Sequence, residues 1–199
     1  MGSKERIQRL KDDTRRNILT AALNIVKEDG WQSLNMRRIA LDIDYTAPVI
    51  YEYFDSKESL IAELTYQGYA KLLQSIRTAG NQMLSTVEQL LAMWLAYWNF
   101  AFTEKELYQA MFGIEVHCSS MKSGHRKSEE LATLFTDMIR QLVKDKEVSE
   151  EIINTKYFRM WSVVHGLISI NLVNKGKSEE INQRVLHEAI HSTITSIAE

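Results

Sequence analysis

Proline is almost absent from the 199-residue chain, occurring once, at Pro48; average usage would place about ten. Glycine occurs eight times, where roughly fourteen would be ordinary. Both residues punctuate chains, and sheet proteins with many tight turns depend on them. Their scarcity argues against a sandwich, a barrel or a disordered linker protein, and for long helices joined by short links. Cysteine also occurs once, at Cys118, so an internal disulfide cannot form, which suits a reducing cytoplasm. No uncharged run exceeds the 15 residues from Gln89 to Thr103, short of the ~20 that cross a bilayer. Met1 to Lys11 is charged with no apolar segment behind it, so neither a signal peptide nor a membrane partner is expected. GxGxxG, a Walker lysine loop and GxSxG are all missing, and nucleotide and serine-hydrolase chemistry lack their signatures. No cofactor is called for.

What is present is an uneven charge distribution beneath a net charge of −2. Residues 1 to 38 hold nine Lys or Arg against five Asp or Glu, a balance of +4. Residues 39 to 63 hold only Lys57 against six acids, a balance of −5. A basic N-terminal segment suits a phosphate-rich partner, although a solvated basic helix face has the same composition.

Apolar periodicity and capping residues read as helix throughout. Asp13 or Thr14 can cap a first helix to about Asp29, with Ile18, Ala21, Ala22, Ile25 and Val26 as its stripe. Gly30 stands where a left-handed C-terminal residue is wanted. Asn35 caps a short helix over Met36 to Ile43, and Asp44-Tyr45 is a tight link. Thr46 caps another from Ala47 to about Tyr53, and Ser56 a long one to roughly Thr78. Ser85 with Glu88, and Thr103 with Glu106, have the spacing of capping boxes. Further helices run to about Lys144, from Ser149 to Asn174, and from Ser178 to near Ile197. The expectation is an all-α protein of about nine helices and no strand.

Two short capped helices joined by a tight turn and braced by a longer one describe a helix-turn-helix. Gly30-Trp-Gln-Ser-Leu-Asn-Met-Arg-Arg-Ile-Ala40, followed by Tyr45-Thr-Ala-Pro-Val-Ile-Tyr-Glu-Tyr-Phe-Asp-Ser-Lys-Glu-Ser-Leu60, resembles the DNA-binding domain of the TetR family. Ile-Ala, Tyr-x-x-Phe and x-Lys-x-x-Leu all fall at that family's spacings. The resemblance implies a DNA-binding domain over 1–56, a helical ligand-binding and dimerisation bundle over 57–199, and no enzymatic activity. Thr46 at the cap can hydrogen-bond a phosphate, and the resemblance assigns further roles: Tyr51, Tyr53 and Lys57 reach phosphates, and Arg37 occupies a position that reaches a base. Guanine's paired acceptors suit an arginine fork. Ala47, Pro48 and Val49 present carbon to the groove, suited to thymine methyl groups. Pro48 falls in the first helical turn, where its missing N–H costs nothing. The family's turn usually carries glycine; Asp44 holds that place here, tolerating left-handed geometry but adding negative charge near DNA. The partners implied are a palindromic double-stranded DNA operator, a second copy of the chain, and a small, largely apolar effector that releases a repressor.

The second half carries weaker signals. Trp161-Ser-Val-Val-His-Gly166 resembles the Trp-His-Gly motif of one C-terminal subgroup. A helical glycine costs about 1 kcal/mol relative to alanine, so Gly166 suggests close approach of another helix. Trp94, Tyr97, Trp98 and Met111 read either as core packing or as the wall of an apolar pocket, with Glu115 and His165 as polar anchors. Val164, Ile168, Ile181, Val185 and Ala189 are the expected dimer residues. A rival reading comes from His187-Glu-Ala-Ile-His191, which matches HExxH, the helix motif of zinc proteases. A catalytic zinc needs a third protein ligand, for which the sequence motivates no residue, so a metal-binding protein or zinc hydrolase is the alternative function.

Overall fold

The computed structural model describes residues 2–81, 85–113, 125–143, 147–174 and 178–198. Among these are nine α-helices and no strand: α1 (Ser3–Asp29), α2 (Met36–Asp42), α3 (Ala47–Tyr51), α4 (Lys57–Gly80), α5 (Thr86–Thr103), α6 (Lys105–Phe112), α7 (His125–Leu142), α8 (Glu150–Asn174) and α9 (Glu179–Ala198). A single 3-10 turn, Trp31–Ser33, joins α1 to α2.

The chain divides into two compact units, Met1–Gly68 with Lys105–His125, and Tyr69–Glu104 with Arg126–Glu199. The first therefore extends beyond residue 56 and takes in α6. Its apolar core explains the extension, because Ile18, Ile39 and Ile50 are fully buried together with Leu60 and Leu64 of α4. Two buried polar links hold α6 in the same unit: Trp31 Nε1 donates to Gln109 Oε1 at 3.1 Å, and Thr65 Oγ1 to the Ala110 carbonyl at 3.3 Å. Gly68 lets Met111 approach, since a Cβ there would stand 2.7 Å from the Met111 sulfur.

In the second unit α8 packs on α9, and both pack on α5. The buried stripe of α8 is Ile153, Met160, Val164 and Ile168; that of α9 is Leu186, Ile190, Ile194 and Ile197. Leu131, Phe135 and Ile139 of α7 are buried, as are Leu90, Trp94 and Tyr97 of α5, and Phe135 stacks on Trp94.

Several sequence expectations change in detail. Helix α1 starts at Ser3 rather than at Asp13 or Thr14, and the Thr14 hydroxyl donates to the Leu10 carbonyl inside it. Residues 3 to 12 are mostly good helix formers, so nothing stops the helix at Asp13. Gly30 adopts φ 79° and ψ 169°, outside the left-handed helical region and open essentially to glycine alone. The Ser85–Glu88 capping box is present. The one expected at Thr103 is not, because Thr103 ends α5 and its hydroxyl donates to the Asn99 carbonyl. Gly166 meets no other helix: a Cβ there would find nothing within 4 Å.

Candidate nucleic-acid interface and regulatory cavity

Asn35 sets the start of α2 by accepting the Arg38 N–H on Oδ1 at 2.9 Å. The Arg38 guanidinium is spent on Asp29. Its neighbour Arg37 is exposed and has no partner among the described residues, so a free guanidinium stands at the edge of the motif. Asp44 follows with φ 57°, a positive φ outside glycine, and the Tyr45 N–H then returns to the Ala40 carbonyl at 2.8 Å. Asparagine and aspartate tolerate that conformation because their short polar side chains bond locally.

Thr46 is the N-cap of α3, yet its hydroxyl makes no capping bond and stays exposed. Pro48 lies in the first turn and is exposed, while Ala47 and Val49 are half-buried. Ile50 is fully buried and fixes the roll of this short helix. Tyr51 is 50% exposed. Tyr53 is half-buried, and its carbonyl accepts from Arg15 Nη1 at 3.2 Å. Arg15 also lies 4.4 Å above the Phe54 ring and pairs with Glu63 at 2.9 Å. This staple between α1 and the α3–α4 junction has no sequence signal, because its partners lie 38 to 48 residues away. Lys57 opens α4 half-buried and donates to the Trp31 carbonyl at 3.3 Å. Its ammonium therefore already has one acceptor, with two donors left over. Exposed Tyr45 belongs beside Thr46 on the same surface; its place in the turn hid it from periodicity.

The structure thus brings Arg37, Thr46, Pro48 and Tyr51 to solvent on two adjacent helices, over a core that uses none of their polar atoms. Asp42, Asp44 and Glu52 are exposed in the same segment. Asp44→Gly is expected to change stability by no more than about 1 kcal/mol, since glycine accepts the same φ at some entropic cost. With the turn next to DNA, as the sequence resemblance implies, removing its charge should tighten binding to any duplex about 2- to 5-fold at low salt. Fluorescence anisotropy on two unrelated duplexes reads this; unchanged affinity on both would place the carboxylate away from the DNA.

The second unit contains a cavity of about 500 Å³ between the last turns of α4, the start of α5 and α7. Ile76, Met93, Leu134 and Met138 give it apolar walls, and Arg77 and Glu130 pair at its rim at 2.5 Å. The Arg77 guanidinium holds the Glu130 carboxyl below the usual carboxylate range.

Sequence candidates for a pocket lie elsewhere. Trp94 and Tyr97 are completely buried, and Trp94 stacks on Phe135 with centroids 4.1 Å apart. Trp98 is buried against Phe102. These rings fill the core instead of lining a space. Met111 belongs to the other unit, against Gly68, and Glu115 lies outside the described residues. His165 stacks on Trp161 at 4.5 Å and meets the Tyr97 hydroxyl at 3.3 Å, which also accepts from Trp161 Nε1. Burial lowers the His165 pKa and so favours the neutral ring.

The expected dimer residues also separate. Val164 and Ile168 are buried within the subunit, because the inner stripe of α8 runs through them. Ala189 is half-buried, whereas Ile181 and Val185 remain exposed. The apolar outer face of α8 is instead Val163, Ile170 and Val173, with Gly166 between them. His187, Glu188 and His191 are exposed beside a shallow recess that includes Leu91. Among the described residues no three His, Cys, Asp or Glu side chains converge on a possible metal position.

Two family descriptions match this chain. "Bacterial regulatory proteins, tetR family" covers residues 18–64, and "Tetracyclin repressor-like, C-terminal domain" covers residues 90–192. The chain belongs to the TetR family. Its DNA-binding helices and its helical C-terminal half are those of TetR-type transcriptional regulators. A Haemophilus influenzae HTH-type transcriptional regulator, itself uncharacterised, is 22% identical over 94 residues, 47% of this chain; the match spans about half of that protein, 50%. A Rhodococcus sp. RHA1 protein of unknown function superposes with a TM-score of 0.78 at 17% identity, covering 93% of this chain and 95% of the other. A TetR family transcription regulator from Marinobacter aquaeolei gives 0.66 at 18% identity, covering 93% and 97%. The fatty acid degradation regulator of Bacillus halodurans gives 0.73 at 13% identity, covering 90% and 94%. Among the described residues no helix is long and apolar enough to cross a membrane.

Proposed function

We propose that this TetR-family DNA-binding regulator acts in the cytoplasm as a homodimeric repressor. It holds a palindromic operator and leaves it when a small, largely apolar ligand fills the cavity at α4, α5 and α7. The observation that carries the reading is the surface of α2 and α3. There Arg37, Thr46, Pro48 and Tyr51 are exposed above the buried Ile39 and Ile50. A fold that spends its apolar residues inward and leaves an uncommitted guanidinium and two free hydroxyls outward suits groove reading and phosphate contact. Thr46, Tyr51 and Tyr53 are the phosphate hydroxyls in this reading. Lys57 supplies phosphate contact with the donors that the Trp31 carbonyl leaves over. Ala47, Pro48 and Val49 meet thymine methyls.

One motif reads a half-site, so two copies related by a two-fold axis read a palindrome. Val163, Ile170 and Val173 of α8, with Ile181 and Val185 of α9, supply an apolar face for that pairing. Ligand and operator communicate through α4, one continuous helix that opens with Lys57 and ends with cavity residues Ile76, Arg77 and Gly80. The cavity walls call for an apolar body, and the Arg77–Glu130 pair for a polar end.

Selection of bound duplexes from a random pool tests the reading. An enriched palindrome is expected, and no enrichment at low salt would overturn it. On the selected duplex Arg37→Ala should cost about 1–3 kcal/mol per subunit and relax preference at one base pair. A uniform loss across sequences would move Arg37 from the bases to the backbone.

A further inference from the structure

We propose that the first turns of α1 are a basic arm that binds the phosphates flanking the bases read by α2 and α3. The proposal rests on the DNA-binding reading and extends the contact beyond the helix-turn-helix. Helix α1 begins at Ser3, but its first fully buried residue is Ile18, and residues 2 to 12 are all exposed. About three helical turns therefore bury almost nothing within the chain. They carry Lys4, Arg6, Arg9 and Lys11, none of which has an ion-pair partner among the described residues. Further along, Arg15 pairs with Glu63 and Arg16 with Asp13.

Direction follows from Arg15. Its contacts with the Tyr53 carbonyl, the Phe54 ring and Glu63 fix that face of α1 against the end of the recognition segment. Lys11 and Lys4 lie four and eleven residues before it, spacings that fall within about 40° on one helix face. At about 1.5 Å per residue, their backbone positions stand roughly 6 and 16 Å beyond Arg15 along the axis. The two lysines thus continue the Arg15 face of α1 beyond the α3–α4 junction, the segment whose Tyr51 and Tyr53 are assigned to phosphate above. The acids do not interrupt it: Glu5 is turned to the Gly2 N–H, and Asp12 to the Gln8 amide. Arg6 and Arg9 point to the far side of the helix, so they serve as an internal control of equal charge.

The test uses the full chain on the pool-selected duplex, extended by one helical turn on each side, across about 50 to 200 mM salt. Lys4→Gln with Lys11→Gln keeps good helix formers in place. It should flatten the slope of log Kobs against log salt by about 1.8 for each bound chain. The slope of the Arg6→Gln with Arg9→Gln pair should stay within about 0.5 of the parent. Trimming the added flanks should erase the difference between parent and lysine variant. An unchanged slope in the lysine pair overturns the arm, as does an equal fall in both pairs, which would reduce it to diffuse net charge. If the parent binds no duplex, the DNA-binding reading fails and the arm with it. If the parent binds and only the lysine result is missing, the arm alone fails.

Discussion

Trp94→Ala is expected to lower the free energy of unfolding by about 3–5 kcal/mol, a large share of the 5–15 typical of a domain. The residue is fully buried, and it lies edge-on to Tyr97 at 5.8 Å and stacked on Phe135 at 4.1 Å. Its removal leaves a hole that flanking rings cannot close without abandoning their stacking. Trp94→Phe should cost far less, about 1 kcal/mol. Among the described residues the buried indole Nε1 has no hydrogen-bond partner, and removing an orphan donor recovers desolvation energy. Urea denaturation of both variants at one protein concentration measures this, since the proposed dimerisation would make apparent stability concentration-dependent. A loss below about 1 kcal/mol for Trp94→Ala would mean that the rings border open space rather than a packed core.

Val163→Glu combined with Ile170→Glu is expected to convert the proposed dimer to monomer while leaving each subunit folded. Both side chains are exposed on the subunit, Ile170 at 55%, so the carboxylates cost little there. In an interface they would be buried opposite their own symmetry mates, at a cost of several kcal/mol. Losing the link between two half-sites removes the gain of effective concentration, so affinity for the palindrome should fall about 10²- to 10⁴-fold. Affinity for an isolated half-site should hold. Sedimentation and anisotropy read the two effects, and a variant that remains dimeric would move the interface off this face of α8.

Much of the fold was legible because local chemistry declares it. Asn35, Ser85 and Glu88 cap as their spacing predicts, and the inner stripe of α1 from Ile18 to Val26 is the one its periodicity gives. The exposure of Arg37 and Tyr51 was legible too, since Ile39 and Ile50 take the inward positions of their two short helices. What escaped was long-range. Trp31 with Gln109 and Arg15 with Glu63 are partners that no local pattern announces. Burial on α8 was misjudged by one face. Val163 and Val164 are equally apolar, and only the packing of α5 and α9 decides that Val164 goes inward. The cavity escaped because aromatic residues suggest a pocket by composition, whereas stacking consumes them, and the space opens beside smaller and more polar side chains.

The acids around the reading surface bear on how a regulator finds its site in a genome. Asp42, Asp44 and Glu52 repel every duplex alike, so they subtract from attraction that carries no sequence information. Competing sites number about 10⁶–10⁹, so occupancy of an operator depends on the ratio of specific to general binding rather than on either alone. Acting on operator and background by the same factor, the three carboxylates leave that ratio unchanged and in the proposed reading shorten every encounter, right or wrong, so the protein exchanges faster between sites. Relieving the turn at Asp44 would strengthen the grip on DNA and lengthen the search.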